Sequence, residues 1–183
     1  SRASLDLHTL GTWTADFVTA RVGAPVHLVV HDVGGFYGLP FVALFPERVA
    51  SLTILNTLFW PDYRWHRFGK AWRTPLLGEL VMLCSNRWIF ERELRRGSSG
   101  FPKAEAHAAY ARVTPAARRT VLRLYRAMDP SVFAPWEPRL LAATSLVPTR
   151  VLWGDTHLHT AISVDAGTMC RIGQEDAFRF ARG

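Results

Sequence analysis

A strand that turns abruptly into a helix, with an acid at the turn, is the feature that most constrains the fold. Residues 26–30 (Val-His-Leu-Val-Val) form a short, β-branched run bounded by Gly23 and Pro25 before it, which predicts a buried strand. Residues 34–45 are apolar, begin with two glycines and have the length of a helix. A turn this tight strains its central residue, and the glycines remove Cβ clashes. The pattern therefore predicts that Asp32 projects from the carboxyl end of a strand, beside a helix N-terminus.

Two roles fit an acid at this position. Aspartate is a favoured N-cap residue, so Asp32 could simply cap the helix. The same strand–turn–helix geometry is the nucleophile elbow of many hydrolytic enzymes, in which the exposed residue is usually serine. The rest of the chain favours the second role.

Composition and charge narrow the class of protein. A chain of 183 residues with 49% hydrophobic residues is long enough to bury a core. The net charge of +7 comes from 20 arginines and two lysines spread from Arg2 to Arg182, which indicates solvated helix faces and no nucleic-acid partner. The two cysteines, Cys84 and Cys170, have no metal-site or disulfide spacing, so we expect no metal, no cofactor and a cytoplasmic location. The most apolar window, 25–45, carries an acid, so we expect no membrane partner.

The order of predicted elements divides the chain into three parts. Residues 1–57 contain a helix, the strand with its turn, a second helix and a second strand over 49–57. Two strands joined by a helix form a right-handed βαβ unit of a parallel sheet. Residues 58–143 are helical and aromatic, and residues 144–183 return to a strand–helix–strand pattern. The predicted fold class is α/β, with a mostly parallel sheet and an inserted helical cap.

This layout resembles a partial α/β-hydrolase fold, specifically that of the haloalkane dehalogenase and epoxide hydrolase branch. The stretches that carry the resemblance are Leu28–Gly35 (LVVHDVGG), Phe45–Val49 (FPERV), Ile54–Thr57 (ILNT), Trp72–Leu80 (WRTPLLGEL) and Val151–Asp155 (VLWGD). The resemblance implies that Asp32 is the nucleophile and that the backbone N–H of Val33 is an oxyanion donor. It also implies that the cap begins near Trp72 and that the strand at Val151 delivers an acid.

An aspartate nucleophile restricts the reaction. A carboxylate that attacks an acyl carbon forms an anhydride, whereas on an sp3 carbon bearing a halide or an epoxide oxygen it forms an ordinary ester. Water activated by a histidine then attacks the ester carbonyl, and backbone N–H groups stabilise the oxyanion. Asp32 therefore predicts a hydrolase whose partner is a small apolar epoxide or haloalkane.

The expected partners of Asp32 are displaced or replaced. In the family that the chain resembles, the acid stands three residues after the glycine that follows Trp153, and His157 occupies that position. Asp155 is the nearest carboxylate and the candidate acid, although it is two residues out of register. Related enzymes place the acid after the next strand, where this chain has the uncharged Asn56.

The family resemblance also predicts where the histidine base should lie and whether the chain contains the whole catalytic domain. In the family the base follows the last strand, beyond Gly183, and four strands precede the strand of the nucleophile. We therefore expect a truncated chain without turnover. His31 is predicted to point to the opposite side of the strand from Asp32, while His157 and His159 are predicted to be solvated loop residues. The remaining histidines have no context that marks a role: His8, His27, His66 and His107.

Specificity and the alternative function depend on few residues. Many dehalogenases bind the halide with a tryptophan after the nucleophile, and Val33 stands there, which favours an epoxide. Epoxide hydrolases use cap tyrosines as donors to the epoxide oxygen, and the candidates are Tyr63, Tyr110 and Tyr125, each with a packing role as the alternative. The alternative for the chain is a non-catalytic, degenerate hydrolase-fold protein that binds a ligand or partner. The sequence leaves the oligomeric state open.

Overall fold

The computed structural model describes residues 4–57, 59, 61–65, 67–97 and 101–152. The helices are α1 Leu7–Arg21, α2 Gly35–Leu44, α3 Arg67–Arg73, α4 Leu77–Cys84, α5 Arg87–Gly97, α6 Lys103–Ala111, α7 Pro115–Ala127 and α8 Glu137–Leu146. Three single-turn 3₁₀ helices span Pro46–Arg48, Pro130–Val132 and Ala134–Trp136. The strands are β1 Val26–Asp32, β2 Val49–Thr57 and β3 Thr149–Leu152. The predicted helix, strand and turn before residue 57 are therefore confirmed, whereas the helix and strand predicted after Leu152 lie outside the described residues.

The three described strands form a parallel sheet in the order β1-β2-β3. The pairing of β1 with β2 brings Val30 beside Ile54 and Asp32 beside Thr57, and β2 pairs with β3 from Leu52 to Leu55. Helices lie between the paired strands along the chain, as a parallel sheet requires. The α/β class and the parallel sheet predicted from the sequence are confirmed.

One face of the sheet is packed against helices. Val30 and Leu52 are buried on this face, and α2 contacts β1 so closely that a Cβ on Gly38 would meet the side chains of Leu28 and Val30. Val29, the residue before Val30 on the same strand, is 62% exposed, because successive strand residues point to opposite faces. The absence of a side chain at Gly38 therefore sets how near the elbow helix lies to the strand that carries Asp32.

The first helix packs on the elbow helix through another close contact. A Cβ on Gly11 of α1 would lie 2.9 Å from the backbone carbon of Pro40 in α2. Phe36 and Phe41 of α2 are completely buried, and Phe36 stacks on Phe133 with ring centroids 5.6 Å apart. These aromatic contacts anchor the helix that follows Asp32.

The chain divides into two compact units, which are described separately. The first contains the described residues of 4–64 and 127–152, and the second contains those of 65–126. The predicted cap ran from 58 to 143, whereas α8 contacts α2 in the first unit. Residues 127–143 return to the first unit because Phe133 and Met128 are buried in that core.

The second unit is a bundle of short helices joined by aromatic and charged contacts. Tyr125 of α7 lies 4.8 Å from Trp65 and 4.9 Å from Trp72, measured between ring centroids. Arg126 binds both carboxylate oxygens of Glu79, each at 2.7 Å, which joins α7 to α4. The hydrogen bonds from Arg126 lower the pKa of Glu79 from 4.5 to about 2.

Glu79→Gln is expected to lower the Tm by a few degrees at most near neutral pH, because the ion pair is solvent-exposed. The pKa of Glu79 is lower in the folded protein, so the stabilisation is present above pH 4.5 and is lost as the pH falls toward about 2. Thermal unfolding of both proteins across this pH range should therefore show their Tm values converging. Glu105→Gln, at an exposed position on α6, is the matched control. A difference that persists undiminished at pH 2 contradicts the assignment.

Candidate functional site

Asp32 ends β1 in a left-handed backbone conformation, with φ of +49°. The N–H of Gly34 donates to the carbonyl oxygen of His31 at 2.8 Å, which closes the turn, and α2 begins at Gly35. A Cβ on Gly34 would lie 2.7 Å from that carbonyl oxygen, so the turn requires glycine there. Non-glycine residues seldom adopt a positive φ, and such strain concentrates at functional sites. The strained turn predicted from the sequence is thus observed at Asp32.

Thr57, at the end of β2, forms a hydrogen bond with the backbone of the turn at Asp32. Its hydroxyl donates to the carbonyl oxygen of Asp32 at 2.8 Å, and the side chain is buried. The register between β1 and β2 shifts between His31 and Asp32, which brings Asp32 opposite Thr57. A Cβ on Gly35 would overlap the Thr57 hydroxyl, so the helix start, the threonine and the Asp32 carbonyl form one tightly packed group. The sequence analysis did not single out Thr57; its position at the end of β2 was the available signal.

Asn56 stands at the same edge of the sheet and also has a positive φ, of +25°. The carboxyl ends of parallel strands meet at one edge, and this edge is where open α/β sheets bind ligands. Two neighbouring strands therefore carry a polar residue with a positive φ at this edge: Asp32 is the last residue of β1, and Asn56 is the last but one of β2. Asn56 is a neutral amide, so the position that the sequence resemblance associates with an acid carries no negative charge. Val33 directly follows Asp32 in the turn, as its predicted role as an oxyanion donor requires.

Two of the described histidines, His27 and His107, have side-chain partners away from Asp32. His27 Nδ1 lies 2.7 Å from the Ser51 hydroxyl, which joins β1 to β2 on the exposed face of the sheet. His31 is exposed and alternates with Asp32 along the strand. His107 lies 3.2 Å from Glu91 within the second unit. The candidate acid Asp155, with His157 and His159, lies outside the described residues, as does His66.

The candidate cap tyrosines have different environments. The hydroxyl of Tyr110 accepts a hydrogen bond from Arg118 at 3.1 Å, and Tyr125 packs between tryptophans. Tyr63 is half-buried in the first unit. Tyr125 therefore has the packing role that was the alternative, and its role as an epoxide donor stays a prediction, as do those of Tyr63 and Tyr110.

An apolar cavity of about 270 Å³ lies within the first unit, among α2, α8 and the sheet. Its lining includes Leu39, Ile54, Phe59, Phe133, Leu140 and Val151, with Glu137 as its one ionisable side chain among the described residues. Asp32 does not line it. The cavity is therefore a gap in the apolar packing beside α2, and Asp32 is not part of its wall.

Neither a cluster of metal-ligating side chains nor a membrane-spanning helix occurs in the part of the chain that the structure describes. No group of three or more His, Cys, Asp or Glu side chains there could hold a metal ion. None of the described helices combines the length and the apolar character needed to span a bilayer.

Thr57→Val is expected to lower the free energy of unfolding by about 1 kcal/mol, because it keeps the side-chain shape and removes the hydrogen bond to the Asp32 carbonyl. Urea unfolding followed by circular dichroism measures the change. Thr53→Val, at a half-buried position on the same strand, is the control and should change stability by less. Equal effects at both positions would show that the bond to Asp32 contributes no specific stabilisation.

Comparisons with known proteins give two findings and one absence. A family model described as "Protein of unknown function (DUF3604)" matches residues 147–183, most of which lie outside the described part of the chain. That segment contains Asp155, and the description assigns it no chemistry, so the role of Asp155 as an acid stays a prediction. No curated protein matches the chain.

Among solved structures, the chain is similar in fold to Cfl2 wild-type from Burkholderia cenocepacia. The TM-score is 0.59 and the sequence identity is 24%, over 82% of this chain and 56% of that protein. The chain thus spans a little over half the length of this neighbour. At this identity the likeness concerns the architecture alone.

Proposed function

We propose that the elbow at Asp32 is the nucleophile site of a hydrolase-type enzyme that forms an alkyl ester with a small apolar epoxide. The observation that carries the proposal is the left-handed backbone of Asp32, with φ of +49°, at the point where β1 ends and α2 follows. An N-cap aspartate ordinarily has extended backbone, as Asp6 does before α1, with φ of −70° and ψ of 160°. The conformation of Asp32 therefore favours an exposed nucleophile over a helix cap.

The chemistry follows from the carboxylate. One carboxylate oxygen of Asp32 attacks an epoxide carbon, a new carbon–oxygen bond forms, and the strained carbon–oxygen bond of the ring breaks. The released alkoxide oxygen takes a proton from solvent or from an acid. The product is a hydroxyalkyl ester that contains every atom of the epoxide. A haloalkane would give the corresponding ester with release of halide, and Val33 after the nucleophile favours the epoxide.

Hydrolysis of this ester needs more than the elbow. Water must be activated by a base before it attacks the side-chain ester of Asp32. The N–H of Val33 would stabilise the oxyanion that forms on this ester carbonyl. Asn56 cannot supply the negative charge that orients a histidine, and Asp155 is the proposed acid. His27 and His107 are engaged with Ser51 and Glu91. We therefore expect the ester to accumulate, with little or no turnover.

Intact-mass spectrometry after incubation with a reactive aryl epoxide tests the proposal. The chain used carries Cys84→Ser and Cys170→Ser, because free thiols also open epoxides. The expected result is a single addition equal to the mass of the whole epoxide, which peptide mapping places on Asp32. Release of diol should be undetectable above the uncatalysed rate. An unmodified protein after long incubation sinks the nucleophile, whereas sustained diol formation sinks the expected block at the ester.

A second candidate is a non-catalytic, degenerate hydrolase-fold protein that binds a ligand or partner. The neutral Asn56 at the position of the acid favours it. It predicts no covalent addition under any condition, so the same measurement separates the two. For either function we propose a reducing cytoplasmic setting, supported by the free, exposed thiol of Cys84.

A further inference from the structure

Positive charge is concentrated in the second unit. Residues 65–126 contain 13 Arg and Lys against 4 Asp and Glu, whereas the rest of the chain contains 9 against 11. The net charges are +9 and −2, so the surplus of the whole chain comes from one helical unit. Because residues 65–126 are consecutive, the asymmetry is present in the sequence itself, and the structure assigns it to the second unit. The second unit therefore attracts anionic surfaces.

One face of α4 is apolar and uncovered. Leu80 and Leu83 lie three residues apart on one face of α4 and are 55% and 79% exposed. Leu76 directly precedes the helix, with a φ of +67°, and is 84% exposed. The opposite side of α4 packs on α7, where a Cβ on Gly78 would lie 3.0 Å from the Leu122 side chain. Contiguous exposed leucines are uncommon on a surface that only meets water, and they mark an interaction site.

The leucine stripe is formed by Leu76, Leu80 and Leu83, and its last member borders a groove of about 540 Å³. Arg118 and Arg119 of α7 line the same groove, together with Glu79, which is paired with Arg126. Arg118 is held in place by hydrogen bonds to the Ser85 carbonyl, at 2.7 Å, and to the Tyr110 hydroxyl, at 3.1 Å. Arg119 is exposed beside it. Apolar and cationic groups thus border the same opening.

An exposed tryptophan lies at the start of the next helix. Trp88 is 64% exposed, and the guanidinium carbon of Arg92 lies 4.9 Å from its ring centroid. Tryptophan has an apolar ring and a polar N–H, which suits the headgroup level of a bilayer.

We propose that the second unit binds the surface of membranes rich in anionic phospholipid, through the leucine stripe, Trp88 and the adjoining arginines. The leucines enter the boundary between headgroups and acyl chains, while Arg119 contacts phosphate. Both observations are needed for this choice of partner. A nucleic acid would use the positive charge and leave the leucines in water. This contact lies in the interface, whereas the sequence-based expectation of no membrane partner rested on the absence of a span.

Vesicle co-sedimentation of the full chain tests the proposal. Vesicles of phosphatidylcholine with phosphatidylglycerol should bind the chain, vesicles of phosphatidylcholine alone should not, and added salt should weaken the binding. Leu83→Gln is expected to lower the partition coefficient by about tenfold or more. Arg119→Gln should lower it by about fivefold. The matched controls are Leu146→Gln, at a leucine 75% exposed in the first unit, and Arg150→Gln, at an exposed arginine of β3.

A fluorophore on Cys84, with Cys170→Ser to make the labelling specific, gives a second readout at the leucine stripe. Its emission should shift to the blue on anionic vesicles and stay unchanged on neutral ones. Equal binding to both kinds of vesicle overturns the proposal, as does an equal loss in the control variants. Retention on DNA without vesicle binding, or a Leu83-dependent dimer without vesicle binding, also overturns it.

Discussion

Asp32→Asn is expected to abolish the epoxide adduct, with a loss of at least about a hundredfold in the rate of covalent addition. A neutral amide is a far weaker nucleophile than a carboxylate, so bond formation to the epoxide carbon should stop. Asparagine is chosen because it tolerates the left-handed backbone that Asp32 adopts, with φ of +49°. The variant therefore removes the reacting group while keeping the elbow. Intact-mass spectrometry over a time course measures the rate.

The control for this prediction is an acid outside the elbow that is more accessible to the reagent than the half-buried Asp32. Asp62→Asn removes an exposed carboxylate in a turn of the first unit and should leave both the rate and the extent of addition unchanged. Circular dichroism of both variants confirms that folding is kept. An adduct that forms equally in the Asp32 variant would show that the epoxide reacts elsewhere, which removes the case for a nucleophile. The alternative role of Asp32 as a helix cap would then be preferred.

The elbow could be predicted because its signals are local. A β-branched strand, two glycines and an apolar helix are all written within 20 residues, from Val26 to Phe45. The bounds of β2, Val49–Thr57, agree with the prediction for the same reason. The local pattern does not indicate which residue of the neighbouring strand contacts Asp32. The hydrogen bond from Thr57 to the Asp32 carbonyl depends on a register shift between β1 and β2, which no periodicity encodes.

The division into units required the fold. α8 has the composition of the preceding helices, yet it packs on α2 in the first unit. Its position depends on the burial of Phe133 and Met128 before it, which is tertiary packing. Basic residues are concentrated in the continuous segment 65–126, and the division into units shows that this segment forms one group of helices. The acid remains a prediction because its candidate, Asp155, lies beyond Leu152 and outside the described residues.

Gly35→Ala is expected to lower the free energy of unfolding by about 2–4 kcal/mol. The added methyl would overlap the Thr57 hydroxyl and lie 3.0 Å from the Thr57 Cβ, in a place where Thr57 is buried and has little room to move. Relief of this overlap would displace the hydroxyl from the Asp32 carbonyl, which it now meets at 2.8 Å. Urea unfolding measures the loss. Gly23→Ala is the matched control, because a Cβ there meets nothing within 4 Å, and it should be neutral or slightly stabilising.

A double-mutant cycle makes the cause of this loss specific. In a Thr57→Ala background the hydroxyl and methyl that Gly35→Ala would strike are gone, so the glycine substitution should cost markedly less. The double variant should therefore lose less free energy of unfolding than the sum of the two single losses, by about 1 kcal/mol or more. Strictly additive losses would mean that Gly35 is needed for another reason, such as its position at the first turn of α2. Two results together would show that the contact between the helix and Thr57 holds Asp32 in its reactive conformation. The first is a double-mutant loss smaller than the sum of the single losses, and the second is slower adduct formation in Thr57→Val.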